Sequence, residues 1–317
     1  MSAGSHRYSA RCSRRVIMKG ALGAGAYCAL GCASASGLRP ADERPSGELS
    51  GSAAAMQRSA SALRVALCHL DVQPAALTTN CEQLASALRL AAARGADWAL
   101  TPELCLTGYH FEQRLGQAFI SPAPDPYMKR IMALSSSLGL SLLLGHLERD
   151  PRIGAAYNTL FAIDAQGRIR GRHRKINTIP QSEDWSTPGP PAHVHSLDGI
   201  TIGMLLCADA WPPTHAAALQ AQGAELLLSA ANWAEGVHGP GDTWEQRSAE
   251  TGLPLIVCNR TGVDEGLDFR SASSVVCQYG RRIFDLTSKR AALGVLTMDV
   301  PGARLLDAQQ FALPQTH

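Results

Sequence analysis

The chain reads as an α/β protein built around a mixed sheet, on three observations. Short apolar runs of strand length alternate with stretches whose leucines and alanines recur at helical spacing, so helices should pack on a sheet face. Two pairs of runs are joined by tight glycine turns, at Ala165-Gln166-Gly167 and at Gly280, and such hairpins make a sheet mixed rather than purely parallel. From residue 63 onward no fixed-period repeat and no internal linker interrupts the pattern.

Taken in order, residues 64–70 are an apolar strand. Residues 74–95 carry Leu77, Leu84, Leu88 and Ala91-Ala92 at helical spacing, and Gly95 stops the helix. Residues 98–101 form a short strand that ends at Pro102-Glu103. A helix over 126–138 leads into a buried strand over 140–147, and 158–164 with 168–175 make the first hairpin. The rhythm then repeats: a strand over 200–206 running into Cys207, a helix over 214–222, a buried strand over 225–230, a helix over 243–252 and a strand over 253–259. Residues 273–279 and 281–286 read as the final hairpin.

Composition narrows the function classes. With 317 residues, 45% hydrophobic and 18% charged, the chain has a globular balance that excludes disordered and collagen-like classes. A net charge of +2 gives no support to a whole-surface nucleic-acid or membrane partner. The nine cysteines form no C-x-x-C pair and no Cys/His zinc spacing, so no structural metal is expected. The six in the body do not make a disulfide scaffold.

Residues 1–36 read as an address. Arg14-Arg15 precede Val16-Ile17-Met18-Lys19 and a weakly apolar, glycine-rich run over 21–31, which looks like a twin-arginine export signal. The run is short of the ~20 apolar residues a membrane span needs. Ala33-Ser34-Ala35 offers a cleavage site, and Cys32 after Gly31 is an alternative site of lipid attachment, less favoured because Ala29 stands where leucine is usual. A periplasmic or secreted protein is expected. Residues 37–62, rich in Ser, Ala, Gly and Pro, read as a flexible linker, and 63–317 as the folded body.

Functional groups of open α/β sheets gather beyond the carboxyl ends of strands. Glu103, Lys175 and Cys207 each follow such a run. A thiol is inert unless a base removes its proton and a cation steadies the thiolate. A carboxylate can do the first and an ammonium the second, so the three together make an activated nucleophile without histidine. Singly each has a plain alternative: a small buried hydrophobe for Cys207, one more cation of the basic run over 168–175 for Lys175, and a helix-initiating carboxylate for Glu103.

Their order and flanks resemble the nitrilase superfamily of carbon–nitrogen hydrolases. Pro102-Glu103-Leu104-Cys105-Leu106-Thr107-Gly108-Tyr109 is similar to its first catalytic segment, Gly171-Arg172-His173-Arg174-Lys175-Ile176 to its lysine segment, and Gly203-Met204-Leu205-Leu206-Cys207-Ala208-Asp209 to its nucleophile segment. Gly145-His146-Leu147-Glu148, Tyr157-Asn158, Arg247-Ser248-Ala249-Glu250 and Asn259-Arg260-Thr261-Gly262 add support over residues 63–300.

The resemblance implies a four-layer α-β-β-α sandwich and a cysteine-dependent hydrolysis of non-peptide carbon–nitrogen bonds through a thioester. Glu103 would be the general base, Cys207 the nucleophile and Lys175 the oxyanion stabiliser, with the Ala208 N–H beside it. Glu148 maps onto the family's accessory glutamate; its plain alternative is a strand-end carboxylate paired to Arg149 or Arg152. Tyr109, Trp211, Asn232 and Trp233 are candidate pocket residues, although both tryptophans could equally be core or interface. No metal or organic cofactor is implied; the partners implied are a small amide or nitrile and further copies of the chain in a homodimer or larger homo-oligomer.

The departures from the family pattern are Ala208, Thr214 after Trp211-Pro212-Pro213, Asn177 after Lys175-Ile176, and Ser271; they alter the pocket wall and leave the substrate open. Two other functions stay in view: acyl transfer to an amine by the same triad, whose relatives carry several membrane spans not seen here, and a non-catalytic binding protein on the same fold. Nucleic-acid binding through 168–175 lacks aromatic partners.

Overall fold

A computed structural model describes residues 62–314. The export signal, the Cys32 lipid site and nearly all of the linker lie outside the described residues. In chain order the strands are β1 (Leu63–His69), β2 (Trp98–Leu100), β3 (Ser141–Arg149), β4 (Ala156–Ile163), β5 (Ile169–Arg174), β6 (His195–Leu197), β7 (Ile200–Leu206), β8 (Leu226–Ala230), β9 (Leu255–Cys258), β10 (Val263–Asp264), β11 (Leu267–Asp268), β12 (Ser273–Gln278), β13 (Arg281–Thr287), β14 (Ala292–Asp299) and β15 (Arg304–Ala312). The α-helices are α1 (Leu77–Ala93), α2 (Glu112–Leu115), α3 (Pro126–Ser137), α4 (Pro213–Ala221) and α5 (Thr243–Thr251).

Two large mixed sheets result, in the orders β15-β14-β1-β2-β3-β4-β5 and β13-β12-β9-β8-β7-β6. Each has three parallel strands at its centre, β1-β2-β3 and β7-β8-β9, flanked by antiparallel ones. Crossover helices link the parallel neighbours and hairpins add the flanks, which is why alternation and glycine turns occur in one sequence.

Strand parity builds the layers. Along β1, Val65 and Leu67 face the second sheet and meet Ile202, Met204, Leu206 and Leu228. Ala66 and Cys68 face the other way, onto Leu84, Leu88 and Ala91 of α1 and Met128 and Ile131 of α3. A third cluster packs Leu205, Leu227 and Val257 against Ala216 and Leu219 of α4 and Trp244 of α5. The order of layers is therefore α-β-β-α, as expected. Each fully buried Leu, Ile or Met contributes roughly 1.5–3 kcal/mol. Helix ends are set locally: Asp125 accepts from Met128 N at 2.8 Å ahead of Pro126, an N-cap worth about 1 kcal/mol.

One expectation is corrected. The hairpin over 273–286 is not the last element, because β14 and β15 follow it, and β14 pairs along the whole of β1 from Leu63↔Met298 to His69↔Ala292. The apolar run Leu293-Gly294-Val295-Leu296 is a buried strand by composition; Pro301-Gly302 supplies its turn. The short strand β6 and helix α2 are also unanticipated.

Candidate active site

The carboxyl ends of four strands, two from each sheet, carry the site. Glu103 follows β2, Lys175 follows β5, Cys207 follows β7 and Asn232 follows β8. The turn bearing Glu103 is pressed against β3: a Cβ at Gly145 would lie 2.4 Å from the Pro102 carbonyl oxygen and 2.9 Å from Glu103 Cα. Only glycine permits that approach, which explains the glycine of the 145–148 segment.

Lys175 Nζ donates to Glu103 Oε1 at 2.7 Å and to Glu183 Oε1 at 2.8 Å. Asn158 Nδ2 donates to the same two oxygens, each at 2.8 Å, and so spaces the carboxylates. Glu103 Oε2 accepts from the Asn232 backbone N–H at 2.9 Å, and Asn232 Nδ2 donates to the Glu103 carbonyl at 2.6 Å. Glu103, Lys175 and Asn158 are fully buried. An ammonium has three donors, so one Lys175 N–H is left over from the two carboxylates.

Cys207 has φ +48°, in the left-handed region that a side chain adopts only under constraint, and Leu104 beside Glu103 has φ +51°. The thiol sits 3.8 Å from the Asn232 carbonyl oxygen. Asp209, two residues on, holds this elbow to the lysine segment. Its Oδ1 accepts from the N–H groups of Ile176 (3.0 Å) and Asn177 (2.7 Å), and its Oδ2 from Leu206 N (3.1 Å) and His173 Nε2 (2.7 Å). Asn177 Nδ2 adds a bond to the Ala208 carbonyl at 2.8 Å. Burial opposes the charge of Asp209, but the His173 contact and the backbone donors hold its carboxyl below the ordinary value.

Electrostatics defines the resting state. Burial pushes the Glu103 carboxyl up, and the Lys175 ammonium only partly offsets it. Burial also opposes the Lys175 charge, yet Glu103 and Glu183 together hold that ammonium well above its ordinary value. Burial and then the Glu103 charge push Cys207 well above an ordinary thiol. These directions favour a neutral Cys207 thiol beside a charged Lys175 ammonium.

The structure brings Glu103, Lys175 and Cys207 together, but not Glu148. The Glu148 carboxylate meets Arg172 Nη1 at 3.0 Å, Arg174 Nε and Thr159 Oγ1, with no contact to Lys175. Parity is the reason. Residues 146 and 148 of β3 and 172 and 174 of β5 face one side of the sheet, while Lys175 continues the opposite side with His173. The arginines that hold Glu148 are also not the Arg149 and Arg152 considered from sequence. The second carboxylate on Lys175 is Glu183, in the irregular stretch after β5. Glu183 is fixed there by Ile179 N, which donates to its Oε2 at 2.7 Å, and by Trp185 packed edge-on to Phe111 at 5.0 Å.

Cys207 and Ala208 open into a cavity of about 340 Å³. Tyr109, Trp211, Asn232 and Trp233, the four expected pocket residues, all line it, together with Ile179, Ser182, Glu235, Val237, His238 and Leu267. Trp233 is buried and T-stacked between Trp211 (5.2 Å) and Trp244 (5.7 Å), so it is both wall and core; Trp211 is 41% exposed at the rim. Among the described residues no group of three or more His, Cys, Asp or Glu is arranged to hold a metal ion. Nor is any helix there long and apolar enough to cross a membrane.

Two mixed sheets between helix layers define an α/β fold of the nitrilase type, and Glu103, Lys175 and Cys207 lie at its strand ends. The carbon-nitrogen hydrolase profile matches residues 64–308, and the chain belongs to that family. It is 29% identical over 240 residues to a hydrolase encoded in the pqqF 5′ region of Pseudomonas protegens, covering 75% of this chain and 83% of that one. It is 25% identical to a probable nitrilase of Schizosaccharomyces pombe over 65% of this chain and 77% of the relative. A glutamine-dependent NAD(+) synthetase of Rhodobacter capsulatus is 29% identical, but the chain spans only 39% of its length. Among solved structures, an amidase from Nesterenkonia sp. superposes with a TM-score of 0.67 at 25% identity, over 76% of this chain and 91% of the amidase. The chain is thus an enzyme acting on carbon–nitrogen bonds.

Proposed function

We propose that the protein hydrolyses small non-peptide amides through Glu103, Lys175 and Cys207. The observation that carries this reading is Lys175 Nζ, held at 2.7 and 2.8 Å between Glu103 and Glu183 behind the cavity into which Cys207 opens. Glu103 takes the Sγ proton as sulfur bonds to the amide carbon, and the carbonyl π electrons move to oxygen. The free Lys175 N–H and the Ala208 N–H, in the first turn after β7, meet that oxyanion; such donors are worth roughly 3–4 kcal/mol each. The raised Glu103 returns its proton to the nitrogen, the C–N bond breaks, and ammonia or an amine leaves. Water, deprotonated by Glu103, then attacks the thioester; the carbonyl re-forms, the acid departs and the thiol recovers its proton. Amides are preferred over nitriles because the Nesterenkonia neighbours are described as amidases, one variant carrying the acetamide moiety of fluoroacetamide on its active-site cysteine.

The test is ammonia release from amides, nitriles, carbamoyl amines and ω-amides, with fluoroacetamide labelling read by peptide mass spectrometry. Release from at least one amide and an adduct on Cys207 are expected. Undiminished turnover by Cys207→Ala refutes the mechanism.

A further inference from the structure

Resting on the amide-hydrolase reading, we propose that the substrate is a primary amide whose acyl chain is apolar and uncharged, and that the site rejects amides bearing a carboxylate. The cavity walls are Trp233, Trp211, Val237, Leu267, Ile179 and the Tyr109 ring, and no lysine or arginine is among its lining residues. A carboxylate entering it loses water and meets no fixed cation, the polar lining being Ser182, Asn232, the exposed His238 ring and Glu235, and that loss is costly in proportion to its burial.

The arginines bonded to elements of the walls are committed elsewhere, Arg270 to Asp268 and Arg114 to Glu265 on the hairpin that bears Leu267. Arg247 Nη1 donates to the carbonyls of Ala210 (2.9 Å) and Trp211 (2.6 Å), and its Nη2 pairs with Glu250 at 2.8 Å. Arg260 Nη1 pairs with Asp264 at 2.8 Å, and its Nη2 and Nε bind the carbonyls of Val72 and Thr261. Arg174 turns to Glu148 and Asp150 on the other face of the sheet.

The base of the cavity is no better for an anion. The one ammonium behind Cys207, that of Lys175, does not line the cavity and is already engaged by Glu103 and Glu183. A third carboxylate, Glu235, lines the rim in an exposed position. A substrate carboxylate would therefore find no free cation behind Cys207 and a like charge at the rim. An alkyl or aryl chain meets the opposite situation: ring and aliphatic surface, with Trp211, Val237 and Leu267 already 41%, 97% and 40% exposed at the mouth and gaining burial on contact. At about 340 Å³ the space suits a chain or ring of several carbons rather than a polymer.

The experiment compares ammonia release at about pH 8 from butyramide, 3-phenylpropanamide and succinamate, the last being butyramide's length with a carboxylate at its end. We expect kcat/KM for the two apolar amides to exceed that for succinamate by about 100-fold or more. Leu267→Arg, on the half-exposed β10–β11 hairpin, should shrink the butyramide-to-succinamate ratio at least tenfold by placing a cation at the mouth. Succinamate turnover comparable to butyramide by the wild type, with Cys207 labelled, overturns the acyl-chain class and leaves the amidase reading standing. No ammonia from any of the three amides, with Cys207 unlabelled by fluoroacetamide, overturns both.

Discussion

Replacing Glu183 by glutamine separates the observed site from the one that the motif suggested. Glu183 Oε1 accepts from Lys175 and Asn158, and Oε2 accepts from Ile179 N. A glutamine can present one oxygen and one amide nitrogen, so whichever way it turns, a donor faces a donor. Losing one charge-assisted bond in a buried site costs about 2–3 kcal/mol. If that cost falls on the placement of the ammonium in the transition state, kcat/KM drops roughly 30- to 150-fold. The pH profile adds a sign. The Glu183 charge helps hold the Glu103 carboxyl up, so its removal lowers that carboxyl and moves the acid limb of kcat/KM to lower pH. Glu148→Gln is the control. It loosens Arg172 and Arg174 on the far face, costs about 1–2 kcal/mol of stability, or roughly 2–8 °C in Tm, and leaves kcat/KM within about twofold. The assays are steady-state ammonia release across pH and thermal melts. Loss of activity in Glu148→Gln with an intact melt, and none in Glu183→Gln, refutes the assignment of Glu183.

Cys207→Ala should abolish turnover while melting within a few degrees of wild type, since the alanine relieves little packing at a strand mouth; a collapsed melt would make the residue structural. Gly145→Ala should reduce kcat by about 100-fold or more, because its methyl must displace the Glu103 turn and a small misplacement is enough; normal kcat with a normal fold contradicts that contact. Asp209 has a depressed carboxyl, so its stabilisation is present above the ordinary carboxylate range and disappears as pH falls through the lower folded value. Asp209→Asn should therefore be less stable near neutrality and flatten the acid limb of stability, measured by denaturant midpoints from pH 7 to about 3; an unchanged limb rules out this role. Arg14→Lys with Arg15→Lys should leave the precursor in the cytoplasm on fractionation, and unaltered processing would reject the export signal.

Glu103 and Cys207 were legible as candidates because each sits where an apolar strand run stops, and position in an open α/β sheet already carries a functional meaning; Lys175 ends a basic run, Arg168 to Lys175, and was picked out only with the resemblance of its segment. Gly145 and Asn158 were legible as motif members, although only the structure explains them, one as a close approach and the other as a spacer between carboxylates. Glu183 was not legible. It lies in Gln181-Ser182-Glu183-Asp184, where no periodicity distinguishes it from the exposed Asp184, and its partners Asn158 and Lys175 come from other elements. Glu148 rested on motif position; period-two counting places Lys175 opposite Arg172 and Arg174 along β5, but only the register through β4 puts Glu148 on the arginine face. The strands β14 and β15 were missed although they form a local hairpin with each other around Pro301-Gly302, a signal of the same kind as the two hairpins that were read; only the pairing of β14 with β1, at the other end of the body, leaves no local trace.

That pairing has a consequence for how the protein is made. The inner edge of β1, synthesised first among the folded residues, is closed only by residues 292–298, the next-to-last strand. A ribosome that has reached β13 holds a chain whose central sheet is open between β1 and solvent, with the apolar residues of both flanking layers exposed along the gap. Completion of the sheet therefore waits for residues 292–298, and deletions that remove them should yield aggregating rather than merely weakened protein. The long separation between partners also places the body among slow-forming topologies, in which the finished state is reached late and nearly all at once.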